Sequence, residues 1–101
     1  MEIRGELEVS EEALAEVCRR YGVARLAVFG SSARGDFHRD SDVDLLVEFH
    51  PEERVGLLRF GSLQIELGQL LGQRVDLVAQ NGLKPLLREE VLREARALYA
   101  A

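Results

Sequence analysis

The sequence predicts an α/β (α+β) domain built on a small mixed β-sheet with helices packed on one face. Three observations carry that expectation. Apolar residues recur at helical spacing in three stretches, short apolar runs lie between those stretches, and two of the runs are interrupted by acids. Side chains alternate faces along a strand, so acids two apart share one face while the aliphatic residues between them share the other.

Ser10 is suited to cap a helix that begins with Glu11 and Glu12, acids that the helix dipole favours in a first turn. Leu14, Val17, Cys18 and Tyr21 continue it at helical spacing, and Gly22 can close it. Arg25 to Phe29 reads as a short strand ending at Gly30. The stretch Gly30-Ser31-Ser32-Ala33-Arg34-Gly35-Asp36 follows as a small-residue turn, and Phe37 to Asp40 lead into a second strand from about Asp42 to Phe49.

Pro51 and its neighbouring glutamates mark a loop. Leu57, Phe60, Leu63, Leu67, Leu70 and Leu71 then form an amphipathic stripe that ends near Gly72. Arg74-Val75-Asp76-Leu77-Val78 is a third strand, and Asn81-Gly82 a turn. A final helix is expected after Pro85, with Leu86, Leu87, Val91, Leu92, Ala95 and Leu98 covering more than one face, so part of its surface is expected to meet a partner.

At 101 residues the chain is expected to be a single domain spanning 1–101, large enough for a core but too small to add a separate substrate-binding domain. Whatever it modifies must then be held by another molecule. Its 47% hydrophobic and 31% charged content is ordinary for a globular protein, and no apolar run reaches membrane-spanning length. The first residues lack the basic and apolar regions of a secretory signal, and a single cysteine forms no internal disulfide, which together suggest a cytoplasmic protein. A net charge of −5 argues against direct binding of duplex nucleic acid, which leans on Lys and Arg.

The chemistry concentrates in three acids. Asp42 and Asp44 are expected on one strand face, about 6.6 Å apart along the chain, and Asp76 joins them from a neighbouring strand. Val43, Leu45, Val47, Phe49, Val75 and Leu77 would face the helices instead. Carboxylates so placed repel unless a cation lies between them, and oxygen donors suit hard divalent ions such as Mg²⁺. Three can cup two Mg²⁺ ions about 3.5–4 Å apart, the arrangement of two-metal phosphoryl transfer. Upstream, with ten residues between Ser31 and Asp42, lies Gly30-Ser31, where a glycine permits close backbone approach to phosphate and Ser31 offers an N–H and a hydroxyl. Arg34 is the candidate cation for phosphate oxygens.

Other reactive residues point elsewhere. Cys18 falls in an apolar helical stripe, as a structural thiol would. His38 and His50 lie in loops without metal-ligand spacing, while Glu48 shares the parity of the aspartates and could border their pocket.

Gly30-Ser31-Ser32-Ala33-Arg34-Gly35-Asp36, Ser41-Asp42-Val43-Asp44-Leu45-Leu46-Val47 and Val75-Asp76-Leu77-Val78 together resemble the minimal nucleotidyltransferases of the DNA polymerase β superfamily. The resemblance spans nearly the whole chain and implies the palm-like nucleotidyltransferase fold. It implies that Asp42 and Asp44 bind metal, that Asp76 completes the metal site and assists deprotonation of the nucleophile, and that Gly30 and Ser31 hold nucleotide phosphates. Ser32 departs from the bulkier residue relatives often carry there. A HEPN-domain toxin encoded by the adjacent gene is the partner the resemblance implies, in a type VII-like toxin–antitoxin pair. The implied reaction is Mg²⁺-dependent transfer of AMP from ATP to a tyrosine of that toxin. Two alternatives remain at this point: an antitoxin that neutralises by binding alone, and the catalytic subunit of a two-chain, aminoglycoside-type nucleotidyltransferase. A HEPN-like neighbouring gene would favour the first two readings over the third.

Overall fold

Local chemistry sets the start of the first helix and the ends of the first two. The computed structural model describes residues 2–4, 7–30 and 42–101. A short antiparallel hairpin, β1 (Glu2–Arg4) and β2 (Leu7–Glu8), precedes α1 (Glu11–Arg20). The Ser10 hydroxyl accepts a hydrogen bond from the Ala13 N–H at 3.3 Å, as an N-cap should. Gly22, at φ +71°, turns the chain out of α1 into β3 (Val23–Phe29). β4 (Val43–Phe49) then leads through a loop to α2 (Leu57–Leu71), which ends on left-handed Gly72. β5 (Val75–Ala79), a 3₁₀ turn at Gln80–Gly82, α3 (Pro85–Glu94) and β6 (Arg96–Ala100) complete the chain.

Four strands form one mixed sheet in the order β5-β4-β3-β6. β4 and β5 run parallel, with α2 as their crossover, and the other pairs are antiparallel. Both α1 and α2 pack on one face. There Leu14, Val17 and Cys18 of α1 and Leu63, Leu67 and Leu71 of α2 meet Val43, Leu45, Val47, Val75 and Leu77 of the sheet. Phe49 lies edge-on to Phe60 at 6.3 Å between ring centres, joining the end of β4 to α2. Outside this core, Glu66 of α2 accepts hydrogen bonds from the Tyr21 hydroxyl and, at 2.8 Å, from the Arg20 guanidinium. Those bonds hold the Glu66 carboxyl below its usual range, the tyrosine contributing most.

Two elements differ from the sequence expectation. The helix expected to carry Ala95 and Leu98 stops at Glu94, and Ala95 to Ala100 become a cap and a strand. Ala, Leu and Arg favour helix locally, but β3 would otherwise keep an open edge. Pairing Arg25 with Ala100, Leu26 with Tyr99, Ala27 with Ala97 and Val28 with Arg96 fills that edge, and Leu98 and Tyr99 pack against the core. The N-terminal hairpin is the second difference. Its strands are too short to carry a periodicity, yet Ile3 is fully buried and its carbonyl accepts a hydrogen bond from Arg96.

Candidate active site

Strand parity and register bring Asp44 and Asp76 to one face. Val43, Leu45 and Val47 are completely buried beneath the helices, so Asp44 between them projects from the opposite face, where it is half-buried. Asp76 is likewise exposed between buried Val75 and Leu77. The parallel ladder pairs Val43 with Val75, Asp44 with Asp76 and Leu45 with Leu77. Two carboxylates therefore stand side by side on adjacent strands, about 4.8 Å apart in backbone spacing. Asp42, exposed just before β4, lies one residue outside that ladder.

Gly30 closes the site from the third strand. It follows β3 directly, and Phe29 pairs across the ladder with Asp44. Gly30 sits at φ +70°, a region L side chains rarely enter, and a Cβ added there would lie 2.4 Å from Asp44 Oδ2. The missing side chain thus leaves room for the Asp44 carboxylate against the backbone. Sequence reasoning selected this glycine for phosphate contact; in the structure its demonstrable neighbour is Asp44. Ser31 and Arg34, the other expected phosphate-binding residues, lie outside the described residues, as do His38 and the lead-in from Phe37 to Asp40.

Sequence reasoning missed one member of this surface. The Arg74 Nε lies 3.4 Å from Asp42 Oδ1, and the Arg74 carbonyl accepts a hydrogen bond from Val43 N at 2.9 Å at the start of the ladder. The available signal was the likeness of two tripeptides, Asp42-Val43-Asp44 and Arg74-Val75-Asp76. Set in register, they put a base on β5's approach where β4's approach has an acid.

The donor chemistry suits a hard divalent ion: the Asp44 and Asp76 carboxylates stand in register on adjacent strands, Asp42 immediately precedes β4, and the cradle at Gly30 would be filled by a Cβ. Among the described residues, however, no three acid, imidazole or thiol groups converge on a common point.

Glu48 and His50 belong to a different place. They line a cavity of about 640 Å³ with Gln80, Asn81 and Arg88 at the opposite ends of β4 and β5, and none of the three aspartates borders it. Burial pushes the Cys18 thiol up to about 12, so it stays protonated at neutral pH and agrees with a structural thiol. Among the described residues no helix is long and apolar enough to cross a membrane.

The family described as the nucleotidyltransferase domain matches residues 10–98, a span that includes all three acids and Gly30. The chain belongs to that family. A curated relative of this nucleotidyltransferase is the protein adenylyltransferase MntA of Thermococcus cleftensis, 49% identical over 79 residues that make up 78% of each chain. A solved structure described as a minimal nucleotidyltransferase is 50% identical, covers 85% of this chain and 86% of its own, and superposes with a TM-score of 0.73. The fold also recurs in a complex of a tri-AMPylated Shewanella oneidensis HEPN toxin with its MNT antitoxin. That chain is 19% identical, with a TM-score of 0.64, 90% of this chain covered and 70% of the other.

Proposed function

We propose that this nucleotidyltransferase moves AMP from ATP to a tyrosine hydroxyl of a HEPN-domain partner protein and so acts as the antitoxin of a toxin–antitoxin pair. The observation that carries the reading is the in-register pair Asp44 and Asp76, with Gly30 making room for the first of them. The T. cleftensis relative, named a protein adenylyltransferase, supports a protein substrate, and the AMPylated HEPN complex supports the partner.

Asp42, Asp44 and Asp76 would hold Mg²⁺, two ions in the full site, with Gly30, Ser31 and Arg34 toward the nucleotide phosphates. When bound, such ions lower the pKa of an attacking hydroxyl and neutralise charge on the leaving pyrophosphate. In the transfer the tyrosine oxygen bonds to the α-phosphorus of ATP, the bond from that phosphorus to the bridging oxygen breaks, and pyrophosphate leaves. Asp76 would take the hydroxyl proton, and Asp44, held against the Gly30 backbone, would keep its geometry without reorganisation. A cytoplasmic setting, where ATP and Mg²⁺ are plentiful, agrees with the reading.

Recognition of the partner would use α3. Leu86 is 93% exposed, and Leu87 and Leu92 are also exposed, an apolar surplus separate from the acids. The test is to incubate the chain with Mg²⁺, the HEPN protein encoded beside it and each of four labelled nucleoside triphosphates, then map any adduct. Label from ATP on one or more partner tyrosines is expected. Complete neutralisation of the toxin with no label on it would instead mean inhibition by occlusion.

A further inference from the structure

The geometry points to Arg74 as a positioning residue that pairs with Asp42 in the metal-free protein and turns to the nucleotide's phosphates once a divalent cation takes Asp42. The inference rests on the proposed reading of the acids as metal ligands. It adds a residue and a conformational exchange that this reading does not contain.

Register makes the placement. Because Val43 pairs with Val75, the residues one step earlier, Asp42 and Arg74, stand opposite each other at the entrance to the parallel ladder. The Arg74 backbone is tied there by the 2.9 Å bond from Val43 N, so its Cα is fixed relative to the acids. Its side chain is not similarly confined. The Arg74 side chain is 84% exposed and that of Asp42 48%, and Nε approaches Oδ1 at 3.4 Å. Such a solvated pair contributes little to stability and is readily exchanged.

The exchange has a direction. A divalent ion brings twice the charge of the guanidinium to the same carboxylate and, with Asp44 and Asp76 beside it, gains ligands that Arg74 cannot reach together. Arg74, once displaced, remains anchored at the lip of the site. There it would lie within side-chain reach of the phosphates of a metal-bound nucleotide, whose oxygens match the planar guanidinium fork. Arg74 therefore opposes the metal in the absence of nucleotide and assists the nucleotide in the presence of metal. These opposite effects separate this role from that of an ordinary surface ion pair.

The test compares the wild-type chain with Arg74→Ala and Arg74→Lys, after thermal melts confirm that all three fold alike. Calorimetric titration with Mn²⁺ alone should show Arg74→Ala binding about two- to fivefold tighter, because a competing cation is gone. Titration with ATP at saturating Mn²⁺ should show the same variant binding several-fold weaker, with Arg74→Lys restoring the metal affinity fully and the nucleotide affinity in part. Effects of the same sign in both titrations, no effect in either, or absence of Mn²⁺ binding by the wild type would overturn the proposal. Both readouts are binding constants. If they come out as expected while no AMP reaches the partner, the proposed function falls and the role of Arg74 stands.

Discussion

Replacing Gly30 with alanine tests whether that position seats Asp44, and Gly72 supplies the control within the same chain. The two glycines have nearly equal φ angles, +70° and +68°, so alanine costs each about 1–2 kcal/mol of left-handed strain. Their surroundings differ. A Cβ at Gly72 meets nothing within 4 Å, whereas at Gly30 it comes 2.4 Å from Asp44 Oδ2, so the carboxylate must retreat by roughly 1 Å to regain ordinary contact. Because the obstructing atom is the end of a side chain, the added stability cost at Gly30 should be small. A displacement of that size at a reacting centre can nonetheless lower turnover by about 10²-fold. Urea melts should therefore place both variants about 1–2 kcal/mol below wild type, while assays of AMP transfer separate them. Gly72→Ala should stay near wild-type activity and Gly30→Ala should fall by about two orders of magnitude. Equal activity in the two variants would refute the claim that Gly30 exists to admit Asp44.

Three further outcomes follow from the same structure. Cys18 is protonated in the folded state up to about 12 because burial disfavours the thiolate, while the unfolded chain titrates near the ordinary thiol value of 9.0. Its contribution is therefore complete below pH 9 and is lost as pH rises from 9 toward 12, so wild-type stability should fall more steeply than that of Cys18→Ala across that window in denaturant melts. Leu86→Asp with Leu92→Asp should weaken partner binding in calorimetry and leave ATP binding unchanged, whereas Leu98→Asp, on a strand packed against the core, should lower the melting temperature. Asp42→Ala with Asp44→Ala should spare the complex and abolish transfer. Toxin activity should then return when that complex is diluted apart, and dilution-resistant neutralisation would count against enzymatic action.

The acidic face was legible in the sequence because alternation is a local property: Val43, Leu45 and Val47 around Asp44, and Val75 and Leu77 around Asp76, need no partner strand to reveal their parity. What depended on pairing was not legible. The role of Gly30 toward Asp44 exists only once Phe29 lies opposite Asp44, and the approach of Arg74 to Asp42 only once β4 and β5 are in register. Residues Ala95 to Ala100 show the same limit from the other side. Their helix propensity is real, but an unfilled edge on β3, distant in sequence, decides their conformation. The hairpin carrying Ile3 is smaller than any window in which periodicity can be detected.

Whether Asp44 carries AMP transfer is decided by intact mass measurement of the proposed HEPN partner. The partner would be incubated with ATP and Mg²⁺ and either the wild-type chain or Asp44→Asn, a near-isosteric change that keeps the side chain beside Gly30 and removes its charge. The wild type is expected to shift the partner by one or more AMP additions, and the variant, folded and still bound to the partner, to leave its mass unchanged. AMP addition by Asp44→Asn at the wild-type rate would contradict the assignment of Asp44, and an unmodified partner in both reactions would contradict the transferase itself.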